Sequence, residues 1–205
     1  MPARAPAPAP RGLLGGWGLL LAPGAGASSS HSALVEIDKA VAALGATVRR
    51  LDFPYRLAGR RAPDRMPVLL AAVVSAAQNL SSEAAIAPER IYLGGRSMGG
   101  RVCSVAVAEG LPAAGLVLVS YPLHPPGRPS ELRTAHFGEL GLPCLFVTGT
   151  RDAFATQAEM SRALTAIPGP VSVEWPEGGD HSLRGRDKQV AATVADWLVT
   201  SSRGR

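Results

Sequence analysis

Short apolar runs alternate along this chain with segments of helical period, and that alternation limits the folds open to it. Gly18–Ala22 is apolar and stops at Pro23-Gly24. From Ser30 to Leu44, apolar residues fall at Ala33, Leu34, Ile37, Val41 and Leu44, a helical stripe closed by Gly45. Ala46–Asp52 alternates and is β-branched, so it reads as a strand, and Phe53–Arg65 reads as a polar, Arg-rich loop. Pro67 suits the first turn of a helix that runs to about Leu80. Arg90–Gly94 is a predicted strand and Met98–Glu109 a predicted helix ended by Gly110. Gly115–Ser120 reads as a fully buried strand, and Tyr121–Leu142 as a Pro-rich excursion with one helix, Ser130–Leu140. The rest reads as strand Pro143–Gly149, helix Ala153–Ile167, strand Val171–Trp175 and an amphipathic closing helix, Arg186–Thr200.

Six apolar strands joined by helices or helix-sized crossovers predict a doubly wound α/β domain with a mostly parallel sheet covered on both faces. The domain is expected over 12–200, after a disordered Pro/Ala-rich tail at 1–11 and before a loose C-terminus at 201–205. Alternate prolines keep that tail from being helical. Ligands of such sheets bind beyond the carboxyl ends of the strands, where the strand order switches. Polar residues at those ends therefore carry the chemistry.

Composition narrows the function classes. With 46% hydrophobic residues, the 205-residue chain has material for a core. Gly and Pro make up one residue in five, which suits a fold with many short loops. The net charge is +5, and 19 of the 21 basic residues are Arg. They come in small groups, such as Arg49-Arg50 and Arg60-Arg61, and aromatics are only 5%, so no stacking platform for nucleic acid is expected. Two cysteines, Cys103 and Cys144, form no disulfide framework, which argues for a reducing, cytoplasmic setting and for buried packing roles. Arg4, Arg11, the run Leu13–Ala22 and Ala25-Gly26-Ala27 imitate a secretory signal. Gly15, Gly16 and Gly18 interrupt that run, and the strand reading is preferred. No other apolar run approaches the roughly 20 residues that span a bilayer. No metal-ligand spacing and no cofactor motif appears.

The sharpest local signal is Leu93-Gly94-Gly95-Arg96-Ser97-Met98-Gly99-Gly100, between a predicted strand and a predicted helix. A serine on a tight strand-to-helix turn takes a strained backbone, and side chains at the flanking positions collide with neighbouring chain. Glycines at 95 and 99 meet that requirement. The plainer alternative is a glycine-rich turn with an N-capping serine. A serine nucleophile needs a base oriented by an acid. Of the four histidines, His181 follows the last strand, whereas His31 and His136 look like surface residues and His124 like a pocket wall. Asp152 leaves the strand Pro143–Gly149, 55 residues after Ser97 and 29 before His181. Its rivals are a helix N-cap role, and Asp180 as the acid; Asp180 more plausibly shapes its loop. Two N–H donors must meet an oxyanion. Met98 follows the nucleophile, and Ala25, with Gly24 beside it, lies in the small-residue loop after the first strand. Arg96 and Arg101 flank the serine turn, to bind a substrate carboxylate or to brace loops. Tyr55, Arg56 and Tyr121 sit beyond strand ends, where they are expected to line the pocket.

The order Ser97, Asp152, His181 on alternating β/α units resembles the α/β-hydrolase superfamily. Asp52-Phe53-Pro54-Tyr55-Arg56, Gly94–Arg101, Ser120-Tyr121-Pro122-Leu123-His124 and Gly179-Asp180-His181 look like its small lidless hydrolase-like family. That family includes a testis-expressed hydrolase-like protein and a domain of a histone-acetylation complex subunit, and it is similar to dienelactone hydrolases. The resemblance covers about residues 11–200. It implies the fold and a serine-hydrolase triad, but no substrate, and the 22-residue excursion is too short for a large lid. Two departures stand out: Pro23-Gly24, where relatives have His-Gly, and a proline tail where a β-hairpin normally precedes the first strand, so a core lacking the leading hairpin is expected. The expected activity is cleavage of a small ester or thioester, with a small-molecule substrate as partner and neither nucleic acid nor membrane. The alternatives are a catalytically silent interaction module, and a peptidase or acyltransferase of the same fold.

Overall fold

The computed structural model describes residues 12–204. The predicted tail at 1–11 lies outside them. Six strands form one sheet: β1 (Gly18–Ala22), β2 (Thr47–Arg50), β3 (Ile91–Arg96), β4 (Gly115–Val119), β5 (Cys144–Val147) and β6 (Val171–Glu174). Their order is β2-β1-β3-β4-β5-β6 and every pairing is parallel. The chain winds from β1 outward to β2, then returns to the other side of β1 as β3. The order thus switches between β1 and β3, where Ala22 lies in register with Gly95.

Alternate side chains of each strand enter opposite layers. Leu20, Ala22, Leu93, Leu116, Leu118 and Phe146 pack with helices α3 (Met66–Ala84), α4 (Met98–Ala108) and α5 (Gln157–Leu164). Leu19, Leu21, Val117, Val119 and Val147 face α1 (Ser32–Ala42) and α6 (Asp187–Ser202). Burial on both faces explains why β1 and β4 are apolar at every position. The edge strand β6 is buried on neither side, with alternating intermediate and exposed residues.

Three stretches depart from the sequence reading. The loop after β2 contains a short helix, α2 (Pro54–Leu57), started by Pro54 in its first turn. The expected helix Ser130–Leu140 is absent. Only a 3-10 turn, Phe137–Glu139, forms there. The reason lies in tertiary hydrogen bonds: Arg133 N–H donates to Leu123 O at 2.8 Å, and the Tyr121 hydroxyl donates to Arg133 O at 2.7 Å. These withdraw both backbone groups of Arg133 from any helical ladder. At the end of the chain, α6 continues to Ser202, which is buried, so the residues expected to be loose begin with two helical ones. Among the described residues no helix is long and apolar enough to cross a membrane.

Candidate active site

The turn between β3 and α4 is built around close approach of β1. A Cβ at Gly95 would lie 2.0 Å from Ala22 O, and one at Gly99 would lie 2.2 Å from the same oxygen. No side chain fits at either position, which is why the spacing Gly-x-Ser-x-Gly is needed here. Ser97 between them has φ 51° and ψ −117°. Such backbone costs about 1–3 kcal/mol and persists only when its surroundings impose it. Here Ser97 N–H donates to Val119 O at 2.8 Å, and Arg101 N–H donates to Ser97 O at 3.1 Å. Ser97 makes no side-chain cap for α4, so the capping alternative does not describe it.

The serine side chain points instead at the loop after β6. Ser97 Oγ lies 2.9 Å from His181 Nε2, and His181 Nδ1 lies 2.9 and 3.0 Å from the two oxygens of Asp152. A carboxylate only accepts hydrogen bonds, so Nδ1 carries the hydrogen and Nε2 is left to accept from the Ser97 hydroxyl. The Asp152 side chain is fully buried, whereas that of His181 is 19% exposed on the pocket side. Asp152 does not cap the helix that follows. Thr156 caps α5, in a reciprocal box with Glu159. Asp152 Oδ1 accepts from Phe154 N–H at 2.8 Å, which fixes the carboxylate toward the imidazole. Asp180 binds Ser182 N–H and Oγ at 2.9 and 2.6 Å and shapes its own loop.

Glycines also bring acid and base together. A Cβ at Gly149 would sit 2.2 Å from Gly179 O, so the loops after β5 and β6 lie backbone to backbone. Arg151 N–H donates to Gly179 O at 2.8 Å, and Gly178 N–H to Thr150 Oγ1 at 2.8 Å, locking that contact. Arg96 adds a tie from the serine turn, its guanidinium donating to His181 O at 2.8 Å. Burial holds the Arg96 guanidinium below its ordinary value, opposed by the charges of Asp152, Asp187 and Asp180.

Ala25 and Met98 line the same cleft as Ser97. Neither N–H donates to an acceptor among the described residues. The loop carrying Ala25 is a turn closed by Ala27 N–H to Gly24 O at 3.1 Å, with Gly26 at φ +75°. It is held from behind: Gly26 N–H donates to the Tyr55 hydroxyl at 3.2 Å, and Ser29 N–H and Oγ reach Asp52 at 2.7 and 2.6 Å. Gly24 is not sterically required, because the atoms its Cβ would meet lie at 3.5 Å.

Four expected pocket residues do not line the cleft, among them Arg56, whose guanidinium donates to Arg60 O at 3.5 Å. Tyr55 is fully buried and supports the Ala25 loop from beneath. Tyr121 is fully buried among Phe137 and Phe146, with its hydroxyl spent on Arg133 O. His124 is 5% exposed, bonded through Nδ1 to Pro125 O at 2.8 Å, and near Glu159 at 3.5 Å. The two histidines read as surface groups are not free either. His31 caps α1 by accepting from Ala33 N–H, and His136 bonds Ser104 Oγ at 2.8 Å.

The cleft has a volume of about 420 Å³. Pro122, Arg133 and Phe154 line it, beside the residues already named and Arg101. Sequence reasoning missed these three. Phe154 stacks on His181 with ring centroids 3.9 Å apart and 26° between planes. Its one signal was its place two residues after Asp152, where a side-chain turn bends the chain back. Arg133 gave no signal, because it lay inside a predicted helix.

Solved structures of similar shape carry the same class of fold. An alpha-beta serine hydrolase homologue from Coxiella burnetii superposes with a TM-score of 0.77 at 18% identity, over 93% of this chain and 88% of that one. Est1E from Butyrivibrio proteoclasticus gives 0.76 at 14% identity, over 91% and 88%. A dienelactone hydrolase from Anabaena variabilis gives 0.71 at 18% identity, over 90% and 86%. At these identities the likeness concerns the fold. The family profile for the alpha/beta hydrolase domain matches residues 17–201, from the residue before β1 almost to the end of α6. With its parallel sheet, its glycine-flanked serine turn and that match, the chain belongs to the alpha/beta hydrolase domain family.

Proposed function

We propose that this protein is a serine hydrolase that cleaves a small ester or thioester through an acyl-enzyme. One observation carries the reading: an unbroken hydrogen-bonded chain from Ser97 through His181 to buried Asp152, ending on a serine held in strained backbone. Ser97 Oγ adds to the substrate carbonyl carbon as His181 Nε2 takes the hydroxyl proton. The Ala25 and Met98 N–H groups meet the oxyanion that develops. Asp152 stabilises the imidazolium and keeps its ring oriented. Collapse breaks the C–O or C–S bond, and His181 returns the proton to the departing alkoxide or thiolate. Water then gives a proton to His181 as its oxygen attacks the acyl carbon. Ser97 leaves and recovers that proton, and a carboxylic acid is released.

The size of the cleft supports a small substrate, and the 121–142 excursion folds down without forming a separate lid. The four quoted stretches support, in this reading, a relation to the small lidless family of the testis-expressed hydrolase-like protein. Asp52 and Tyr55, from the first of them, brace the Ala25 loop. Cys103 and Cys144 are buried free thiols, which supports a cytoplasmic enzyme.

An active-site fluorophosphonate tests the proposal. It should label the wild-type protein and leave Ser97→Ala unlabelled, with His181→Ala labelled far more slowly. Absence of labelling in the native protein, or equal labelling of Ser97→Ala, would overturn the reading.

A further inference from the structure

Several arginines have an evident partner among the described residues. Arg50 Nε binds Asp38 at 2.8 Å, Arg60 binds Asp64 at 2.6 Å and Arg128 binds Glu131 at 3.1 Å. Arg49 pairs with Glu83, and Arg90 lies 4.8 Å over the Trp17 ring. Arg96 is occupied by His181 O. Of the three arginines that line the cleft, the other two make no side-chain hydrogen bond among the described residues. Arg101 lies four residues past Ser97, one turn along α4, and its buried Nε has no hydrogen-bond partner among the described residues. Arg133 comes from the excursion and lines the same cleft. Its backbone is clamped at N–H and at C=O by Leu123 and Tyr121, but its guanidinium bonds nothing among the described residues.

The charge of Arg101 reaches Arg133. Burial holds the Arg133 guanidinium below its ordinary value, with the charge of Arg101 the next cause. The same charge, after burial, helps hold His136 down. Glu131, two residues from Arg133, is engaged by Arg128. Two guanidinium groups thus share one cleft with the serine, and among the described residues no carboxylate is hydrogen-bonded to either, Glu131 reaching Arg133 through its charge alone. An arginine fork takes carboxylate or phosphate oxygens in paired, charge-assisted hydrogen bonds.

We propose that Arg101 and Arg133 form a clamp for an anionic group, a carboxylate or a phosphate, carried by the substrate away from its scissile bond. The proposal rests on the hydrolase reading for the reaction, but not for the binding. The anion would fix the ester against Ser97 and relieve the repulsion between the two cations. Arg101 stands one turn past the serine on α4 and Arg133 on the excursion, so the clamp draws on two separate segments.

Two measurements test it. In turnover, p-nitrophenyl hemisuccinate is compared with p-nitrophenyl 4-methylpentanoate, in which a branched methyl pair replaces the carboxylate. The expected kcat/KM ratio favours the hemisuccinate by about ten-fold or more. In Arg133→Gln and Arg101→Gln that ratio should fall about ten-fold or more, mainly through KM, and Arg133→Lys should recover part of it. In binding, succinate and inorganic phosphate are titrated calorimetrically into Ser97→Ala and into Ser97→Ala carrying Arg133→Gln. Tighter succinate marks a carboxylate substrate, and tighter phosphate a phosphorylated one. Arg133→Gln keeps the test open should Arg101→Gln fail to fold. A wild-type ratio at or below one, with no anion bound, overturns the clamp. If no ester is cleaved but an anion binds and is lost in Arg133→Gln, the clamp stands and the hydrolase reading falls.

Discussion

Gly99→Ala puts the geometry of the serine turn to a quantitative test. Gly99 is the second residue of α4, and its backbone is helical. By propensity alone, alanine in place of glycine in a helix stabilises by up to about 1 kcal/mol. The surroundings reverse the sign. A Cβ there would lie 2.2 Å from Ala22 O, 2.5 Å from Ala22 C and 2.6 Å from Pro23 O. Ordinary non-bonded contact lies at about 3.5 Å, so more than about 1 Å must open between α4 and the end of β1. Overpacking of this kind costs about 1–3 kcal/mol. Loosening one or two ladder hydrogen bonds between β1 and β3 adds about 1 kcal/mol each. The expected net loss is about 2–4 kcal/mol, or a fall in Tm of about 5–15 °C for a domain of this size. Because β1 leads straight into the Ala25 loop, the displacement also separates Ala25 from Ser97. A misplacement of about 1 Å costs on the order of 100-fold in rate. Urea unfolding and fluorophosphonate labelling rate are the two assays. Gly24→Ala is the control, since its Cβ meets neighbours at 3.5 Å, and it should leave stability within about 0.5 kcal/mol. A Gly99→Ala protein as stable as wild type, or more stable, would refute the steric account of the glycine spacing.

Two further outcomes follow from buried groups. Burial, and then the charge of Arg101, pushes the His136 imidazole down to about 4 from its ordinary 6.5. The folded protein therefore keeps His136 neutral where the unfolded chain binds a proton, so stability falls as pH drops from about 6.5 toward about 4 and then levels off. Discounted for partial solvent exposure, the loss is about 1–2 kcal/mol, and urea unfolding against pH should be flatter in this window for His136→Gln. An equal slope in the two proteins would rule the assignment out. Burial pushes the Cys103 and Cys144 thiols up to about 12. Both should resist a disulfide thiol reagent at pH 8 in the native protein and react fully in denaturant, whereas prompt native reaction would show them accessible.

The alternation of apolar runs and helical stripes was enough to predict the sheet, because a strand buried on both faces must be apolar throughout, as β1 and β4 are. Gly95, Ser97 and Gly99 were legible for a local reason: strain at one residue and close approach at its neighbours are written into consecutive positions. Asp152 and His181 were legible as polar residues at strand exits. Tyr55, Tyr121 and His124 occupy equivalent positions in sequence yet turn away from the cleft, because each finds a partner beneath or beside it. Sequence position beyond a strand end does not say which way a side chain turns. The expected helix at 130–140 failed for a related reason. Local propensity was overruled by Leu123 and Tyr121 capturing the backbone of Arg133.

The sequence by itself determined the α/β class, the parallel winding and the serine turn, because these depend on periodicity and on short-range sterics. Only the tertiary structure decided that His181 lies within hydrogen-bonding distance of both Ser97 and Asp152, 84 and 29 residues away along the chain. It also decided that Arg101 and Arg133, from separate segments, share the cleft with no side-chain hydrogen bond to either among the described residues. Such proximity arises when glycine-lined loops pack backbone to backbone, as at Gly149 and Gly179, and no pattern along the chain encodes which loops will meet.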